Sequence, residues 1–188
     1  MTRLFWIAVA LASAVAAHAA FVLFVPTFVF AQEIRQIVAG HGENSFFILP
    51  PADQARLFPG LPRQGTMGVC VFDVSQGDVM LAADLPDGFW ITTIYTDLGD
   101  AIYSVSNRQS GSNVFSVRLS LAPGLIDMLI QATDKERPEI DSGWAVLSPE
   151  RRGLAVVWYP LPDEALRAST AAAMMRSRCG PAAFSVSQ

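Results

Sequence analysis

The chain has 188 residues, of which 13 are basic and 17 acidic, so its formal net charge is −4 at pH 7. That length suits one domain of ordinary size plus an appendage. The acidic balance argues against nucleic acid as a partner, because phosphate backbones are bound by basic surfaces. Hydrophobic residues make up 52% of the chain, and they are concentrated near the N-terminus.

The first predicted element is a transmembrane helix over residues 4–31, a segment without a charged side chain. As a helix it would extend roughly 40 Å, more than the roughly 30 Å of a bilayer's hydrocarbon core. The alternative is a cleavable signal peptide, with Arg3 as its basic end and Ala17-His18-Ala19 as the cleavage site. Signal peptides have apolar regions of only about 7 to 15 residues, so a retained single-pass anchor in contact with the lipid bilayer is favoured.

The basic residues that flank this segment indicate its orientation. Arg3 and the terminal amine slightly outweigh Arg35 on the other side, and the more basic flank stays in the cytoplasm. We therefore expect a cytoplasmic N-terminus in the cell membrane and a C-terminal domain exported to the periplasmic side. Without Arg3, that domain holds 12 basic and 17 acidic residues.

His18 lies near the middle of the apolar segment, where an ionisable side chain invites a functional interpretation. On a helix it shares a face with small residues that would let a second helix approach closely: Ala10, Ser13, Ala14 and Ala17. A partner helix, in this protein or another, could then hydrogen-bond to His18. The simpler interpretation is a neutral imidazole tolerated within the anchor.

Residues 32–67 are rich in proline and glycine and are predicted to form an irregular lead-in. Within it, the apolar run FFIL at residues 46–49 could add an edge strand, and residues 52–58 could form one or two helical turns. His41 lies between two glycines and is expected to be exposed in a loop.

Short runs rich in β-branched and aromatic residues predict a β-meander over residues 68–119. They are residues 68–73, 79–83, 89–96, 101–106 and 114–119. Turn signals separate them, such as SQGD at residues 75–78 and LPDG at residues 85–88. The run FWITTIYT at residues 89–96 is typical of a central strand covered on both faces.

The rest of the chain adds further predicted elements: a short helix from Pro123 to Ile130, a charged loop over residues 134–139, strands over residues 143–147 and 154–159, and a final helix from Pro162 to Gly180. Short strands with turn signals about every 8 to 12 residues favour an antiparallel β-sandwich. We therefore predict a mainly β, jelly-roll-like sandwich with short helices over residues 68–180.

Several strand motifs resemble a family of bacterial membrane proteins, the domain of unknown function 1254 (DUF1254) family. The motifs are VCVFDV at residues 69–74 with Gly77, residues 79–86, FWITTIYTD at residues 89–97 and YSVSNR at residues 103–108. The resemblance covers residues 50–180 approximately. It implies one N-terminal transmembrane helix, a Pro-rich lead-in and a compact β domain, and it transfers no catalytic residues to this chain.

Patterns for catalysis or metal binding are scarce. Only His41 offers an imidazole outside the apolar segment, which disfavours a serine triad and a zinc site. No catalytic residue, metal or cofactor is therefore assigned. Asp97 and Asp100 could act as paired carboxylates beside aromatic side chains, although capping of a hairpin turn is the simpler interpretation. The weak ligand-site candidates are Trp90, Tyr95, Asp97, Asp100, Tyr103 and Arg108.

Cys70 and Cys179 are the only cysteines and form a disulfide candidate, since exported domains fold in an oxidising compartment. The alternative is two separate buried thiols. A group of arginines could recognise an anion, but solvated surface charge is the simpler interpretation; the group consists of Arg108, Arg118, Arg151 and Arg152.

Together these patterns favour a membrane-anchored, exported domain that acts as a non-catalytic binding or assembly module of the cell envelope. Its candidate partners are another helix or an envelope protein. The alternative function is an envelope enzyme that acts on a carbohydrate-like substrate through Asp97 and Asp100.

Overall fold

The computed structural model describes residues 2–124 and 144–182. The helices are α1 (Thr2–His41), α2 (Pro51–Leu57), α3 (Asn107–Ser110) and α4 (Arg167–Met174), with a 3₁₀ turn at Glu164–Leu166. The strands are β1 (Phe46–Leu49), β2 (Gly65–Asp73), β3 (Val79–Asp84), β4 (Ile91–Thr96), β5 (Ala101–Ser106), β6 (Val114–Leu121), β7 (Trp144–Ser148), β8 (Arg152–Pro160) and β9 (Arg178–Pro181). The helix predicted through Ile130 and the charged loop over residues 134–139 lie outside the described residues.

α1 is one continuous helix of 40 residues. It is long and apolar enough, by length and composition, to cross a membrane, and the side chains before Phe30 are almost all exposed. The prediction that residues 32–67 are irregular is wrong for their first ten residues, because α1 runs on to His41. Ile34 and Ile37 lie on one face of this last part and are buried against the β domain.

His41 is therefore the last residue of α1 and does not lie in a loop. Its ring stacks on Phe47 of β1, with the ring centroids 3.9 Å apart.

Five strands form one antiparallel sheet in the order β1-β2-β8-β4-β5. The central strand is β8, which pairs with β2 on one side and β4 on the other. The aromatic run predicted as the central strand forms β4, which is internal but lies one place from the middle. Gly153 of β8 packs against the carbonyl of Tyr95 and the ring of Phe72, so this position has no space for a Cβ atom.

Four strands form a second sheet in the order β7-β6-β3-β9. β6 and β7 are parallel, so the prediction of a wholly antiparallel arrangement is wrong at this pair. The predicted final helix is also shorter than expected, because α4 ends at Met174 and Arg178–Pro181 form β9 beside β3. Arg178–Pro181 are extended here, where they pair with β3 and where Cys179 is bonded to Cys70.

The predicted meander is wrong in its strand pairing. β2 and β3 follow each other in sequence but belong to different sheets, and β3 pairs with β6 and β9. Of the neighbouring strands in the predicted meander, β4 and β5 form a hairpin. The alternation of apolar residues specified which side chains point inward, but it did not specify which strands pair.

Side chains of both sheets contribute to one buried cluster, which includes Phe72 and Ile94 from the first sheet and Leu81, Val117 and Leu119 from the second; Trp90, just before β4, joins it. A second cluster lies on the opposite face of the five-stranded sheet, where α1 contributes Ile34 and Ile37. The five-stranded sheet is thus covered on both faces, which explains the near-continuous burial of β2 and β8.

A disulfide bond joins Cys70 of β2 to Cys179 of β9, across a sequence separation of 109 residues. Because β2 and β9 belong to different sheets, the bond links the two sheets covalently. Cys70 is fully buried in the cluster that the sheets share.

Candidate functional site

A cleft of about 370 Å³ opens between the start of α2 and α4. Its walls are mainly apolar and are formed by Ile48, Leu49, Pro50, Pro51, Gln54, Thr66, Glu164, Ala165, Arg167, Ala168 and Ala171. Sites for small molecules typically have volumes of about 300 to 1,000 Å³, so the cleft is within the range of a small-ligand site.

The first wall forms where the chain passes from β1 into α2. Pro50 is extended, with φ −59° and ψ 146°, and Pro51 occupies the first turn of α2, where a missing N–H removes no helical hydrogen bond. The side-chain amide of Gln54 donates to the carbonyl of Leu49 at 2.6 Å. This bond fixes α2 against the end of β1 and so fixes the width of the cleft on this side.

The second wall is formed by α4 and the 3₁₀ turn before it. The Asp163 carboxylate accepts from the amide of Ala165 at 2.9 Å and caps this turn. Ala165, Ala168 and Ala171 recur at three-residue intervals, so their methyl groups lie along one side of the helix. Larger side chains at these positions would fill the space that the cleft occupies.

Arg167 holds α4 against the start of β2. Its guanidinium donates to the backbone carbonyls of Gly65 and Arg63 and forms an ion pair with Glu164. The hydrogen bond from Arg167 holds the pKa of the Glu164 carboxyl below its ordinary value. The edge of the cleft therefore carries one positive and one negative charge and has no net charge.

Thr66 of β2 also lines the cleft, and its side chain is 1% exposed. Its hydroxyl oxygen is buried without a hydrogen-bond partner among the described residues. Buried hydroxyl groups are normally paired, and an unpaired one costs about 1 to 3 kcal/mol. The Thr66 hydroxyl therefore lies just behind the surface of the cleft, closed to solvent and unpaired.

The aromatic candidates from the sequence are not brought together. Trp90 is fully buried in the cluster between the sheets, with its ring 5.8 Å from that of Phe115. Tyr103 packs against Trp144 at 5.9 Å, and burial raises the pKa of the Tyr103 hydroxyl. Tyr95 belongs to the opposite face of the five-stranded sheet. These three side chains belong to packing rather than to one pocket.

Asp97 and Asp100 lie in the tight turn that joins β4 to β5. The Thr96 hydroxyl accepts from the Asp100 amide at 3.2 Å, and the Thr96 carbonyl accepts from the Gly99 amide at 3.1 Å. Gly99 has a φ of +93°, which side chains rarely tolerate. Neither aspartate lines the cleft, and their placement fits a hairpin turn.

The predicted arginine group is dispersed. Arg152 pairs with Asp73 at 2.9 Å and with Glu43 at 3.0 Å, whereas Arg108 is exposed in α3. Burial raises the pKa of Asp73, but hydrogen bonds from Ser75 and Arg152 outweigh it and hold the pKa below its ordinary value.

Two further sequence candidates concern metals and the membrane segment. Within the two described ranges, no three His, Cys, Asp or Glu side chains are close enough together to hold a metal ion. His18 is exposed on α1, as are its small neighbours.

The fold is similar to that of the VPA0106 protein from Vibrio parahaemolyticus, with a TM-score of 0.56 and 9% identity over 86% of this chain and 37% of that one. An uncharacterized protein from Burkholderia cenocepacia gives a TM-score of 0.47 and 12% identity over 70% of this chain and 34% of that one. This chain thus spans little more than a third of either protein, and the likeness to VPA0106 concerns the fold alone. No protein-family model matches the chain, and no curated protein matches it.

Proposed function

We propose that the protein is a single-pass membrane protein whose exported β-sandwich domain binds a small, mainly apolar ligand in the cleft between α2 and α4, without catalysis. The strand motifs that resemble the DUF1254 family belong to this proposal, because they coincide with β2 to β5. The observation that carries the anchoring is the continuity of α1 from its exposed apolar segment into the buried contacts of Ile34 and Ile37.

That continuity makes α1 an integral part of the domain. Exposed apolar side chains from Leu4 to Val29 would be unfavourable in water, by about 25 cal/mol for each Å² of apolar surface. A bilayer removes this cost, and the buried contacts of Ile34 and Ile37 then hold the domain close to the lipid. The slight excess of positive charge at Arg3 supports a cytoplasmic N-terminus.

The lining of the cleft defines the class of ligand. Most of its surface is apolar, and the Arg167–Glu164 pair leaves its edge without net charge. A ligand that displaces the groups covering Thr66 could also pair with its buried hydroxyl, which can donate or accept. The best complement is an uncharged ligand with a large apolar surface and one hydrogen-bonding group. Hydrolysis by Asp97 and Asp100 is not part of the proposal, because neither carboxylate faces the cleft.

The ligand site can be tested with N-phenyl-1-naphthylamine, a neutral apolar dye with one N–H donor. The full chain in detergent micelles is compared with Ala168→Phe, which fills the cleft, and with Ala172→Phe on the exposed face of α4. All samples contain the same detergent concentration, and the emission of protein-free micelles is subtracted, so the remaining emission depends on the protein. We expect the emission to be lost in A168F and kept in A172F; equal emission in the two variants would contradict the proposal.

Anchoring and orientation are tested separately. The protein should stay with membranes during carbonate extraction, and the domain should be digested by protease added to spheroplasts. A domain that resists the protease until the cell membrane is opened would contradict the orientation. Release by carbonate would contradict the anchor.

A further inference from the structure

Apolar side chains gather at the end of the domain where α1 leaves the five-stranded sheet. We call this group the exit surface and define it as Phe30, Phe58, Tyr95 and Leu98. The Tyr95 ring lies between the other two aromatic rings, with centroid distances of 6.1 Å to Phe30 and 6.0 Å to Phe58. Three segments that are distant in sequence are thus joined around the helix.

The turn between β4 and β5 belongs to the same surface. A Cβ atom placed on Gly99 would lie 3.3 Å from the Phe30 ring, so this turn packs directly against α1. Leu98, the residue before Gly99, is 46% exposed. Leu98 lies at the tip of the turn, between Asp97 and Asp100. Its exposed apolar surface would be more favourable in contact with lipid than in water.

The charges along α1 place the exit surface relative to a bilayer. The uncharged segment is followed by Glu33 and Arg35, which are expected to stay outside the hydrocarbon core. Phe30 precedes Glu33 by three residues, or about 4.5 Å along the helix. It therefore lies where the hydrocarbon meets the headgroups, the depth at which aromatic side chains are enriched.

We propose that the exit surface docks on the bilayer, with Leu98 inserted at the level of the headgroups. This inference rests on the proposed membrane anchoring of α1. The nearby charges are Glu33 paired with Arg56, Arg35 on α1, Asp97 and Asp100 in the turn, and Arg152, whose charge interacts with that of Asp97. Three of these groups are acidic and three are basic. Because they include no excess of positive charge, the surface suits electrically neutral phospholipids rather than anionic ones.

Docking at a second point fixes the tilt of the domain. A helix alone would let the domain rotate and lean, whereas contact of the β4–β5 turn with lipid restrains it. The cleft lined by Thr66 and Arg167 is then held at a constant distance from the bilayer.

The test uses the full chain in phosphatidylcholine vesicles, with a nitroxide spin label on Leu98→Cys. Both natural cysteines are in the disulfide bond, so the introduced thiol is the reactive one. Matched labels at Leu147→Cys, 57% exposed on β7, and Val15→Cys, 69% exposed on α1, represent water and hydrocarbon. Collision rates with oxygen, which concentrates in lipid, and with a water-soluble nickel chelate report the depth of each label.

We expect the ratio of oxygen to nickel collisions at Leu98 to exceed that at Leu147 several-fold and to be below that at Val15. A Leu98 ratio equal to that of Leu147, with a high ratio at Val15, would overturn docking and leave the anchor intact. A Val15 ratio equal to that of Leu147 would instead overturn the anchor on which the inference rests. Spin–spin broadening at Leu98 that disappears on dilution with unlabelled protein would show a contact between copies and would also overturn docking on lipid.

Discussion

Removing the disulfide bond should weaken the contact between the two sheets more than any single packing change. The perturbation is Cys70→Ala with Cys179→Ala, which removes the link between β2 and β9. The bond closes a loop with a sequence separation of 109 residues. In the loop-entropy model, such a crosslink lowers the entropy of the unfolded chain enough to stabilise the fold by about 4.8 kcal/mol.

This magnitude is large relative to the total, because domains of this size have unfolding free energies of about 5 to 15 kcal/mol. β9 has four residues and pairs only with β3 among the described strands. Once it is released from Cys70, few other contacts hold it in place. The crosslink is therefore a main restraint on β9.

The assay is urea unfolding of the full chain in detergent, followed by tryptophan fluorescence, to which buried Trp90 and Trp158 contribute. With a slope of about 1 to 3 kcal/mol per M urea, the loss of about 4.8 kcal/mol should lower the midpoint by about 1.6 to 4.8 M. Each single variant should lose nearly as much as the double variant, because either change already removes the crosslink. A double variant as stable as the parent would refute the reasoning, and so would single losses that add up to the double.

Three further substitutions test packing and charge. Gly153→Ala should destabilise the domain by about 1 to 3 kcal/mol in urea unfolding, because the site has no space for a Cβ atom. The control is Gly60→Ala, which should leave the stability unchanged because the space around Gly60 is open. Ile34→Ala should cost about 2 to 4 kcal/mol by the same measurement, because the side chain is 4% exposed; no loss would mean that α1 does not pack on the sheet. Arg152→Met should cost up to about 1 kcal/mol at pH 7. The folded pKa of Asp73 is below its unfolded value, so this stabilisation exists above about pH 4 and disappears as the pH falls further; a cost that stays equal at pH 2 and pH 7 would contradict the role of the Asp73 carboxylate.

Local patterns predicted the elements well where one residue class dominated. The uncharged segment predicted the apolar part of α1, and the β-branched runs predicted β2, β3, β4, β5 and β6 close to their observed bounds. The three-residue spacing of Ile34 and Ile37 indicated that α1 continues beyond residue 31. The glycines and prolines that follow indicated an irregular segment instead.

Strand pairing could not be predicted in the same way. A period of two residues identifies the buried face of a strand and says nothing about its partner. β2 and β8 pair although about eighty residues of sequence separate them. The cleft was missed for the same reason, because Leu49, Thr66 and Ala168 come from separate segments and none is distinctive in its own segment.

The place of β8 in the five-stranded sheet has a consequence for how the chain is made. β2 and β4 both need β8 as a neighbour, yet β8 ends at Pro160, near the C-terminal end of the described chain. Until β8 has been synthesised, β2 and β4 each lack the neighbour on the side where β8 pairs in the folded domain. Long-range pairing of this kind folds slowly and leaves strands open to aggregation. A chain that stops before β8 therefore loses the centre of its larger sheet.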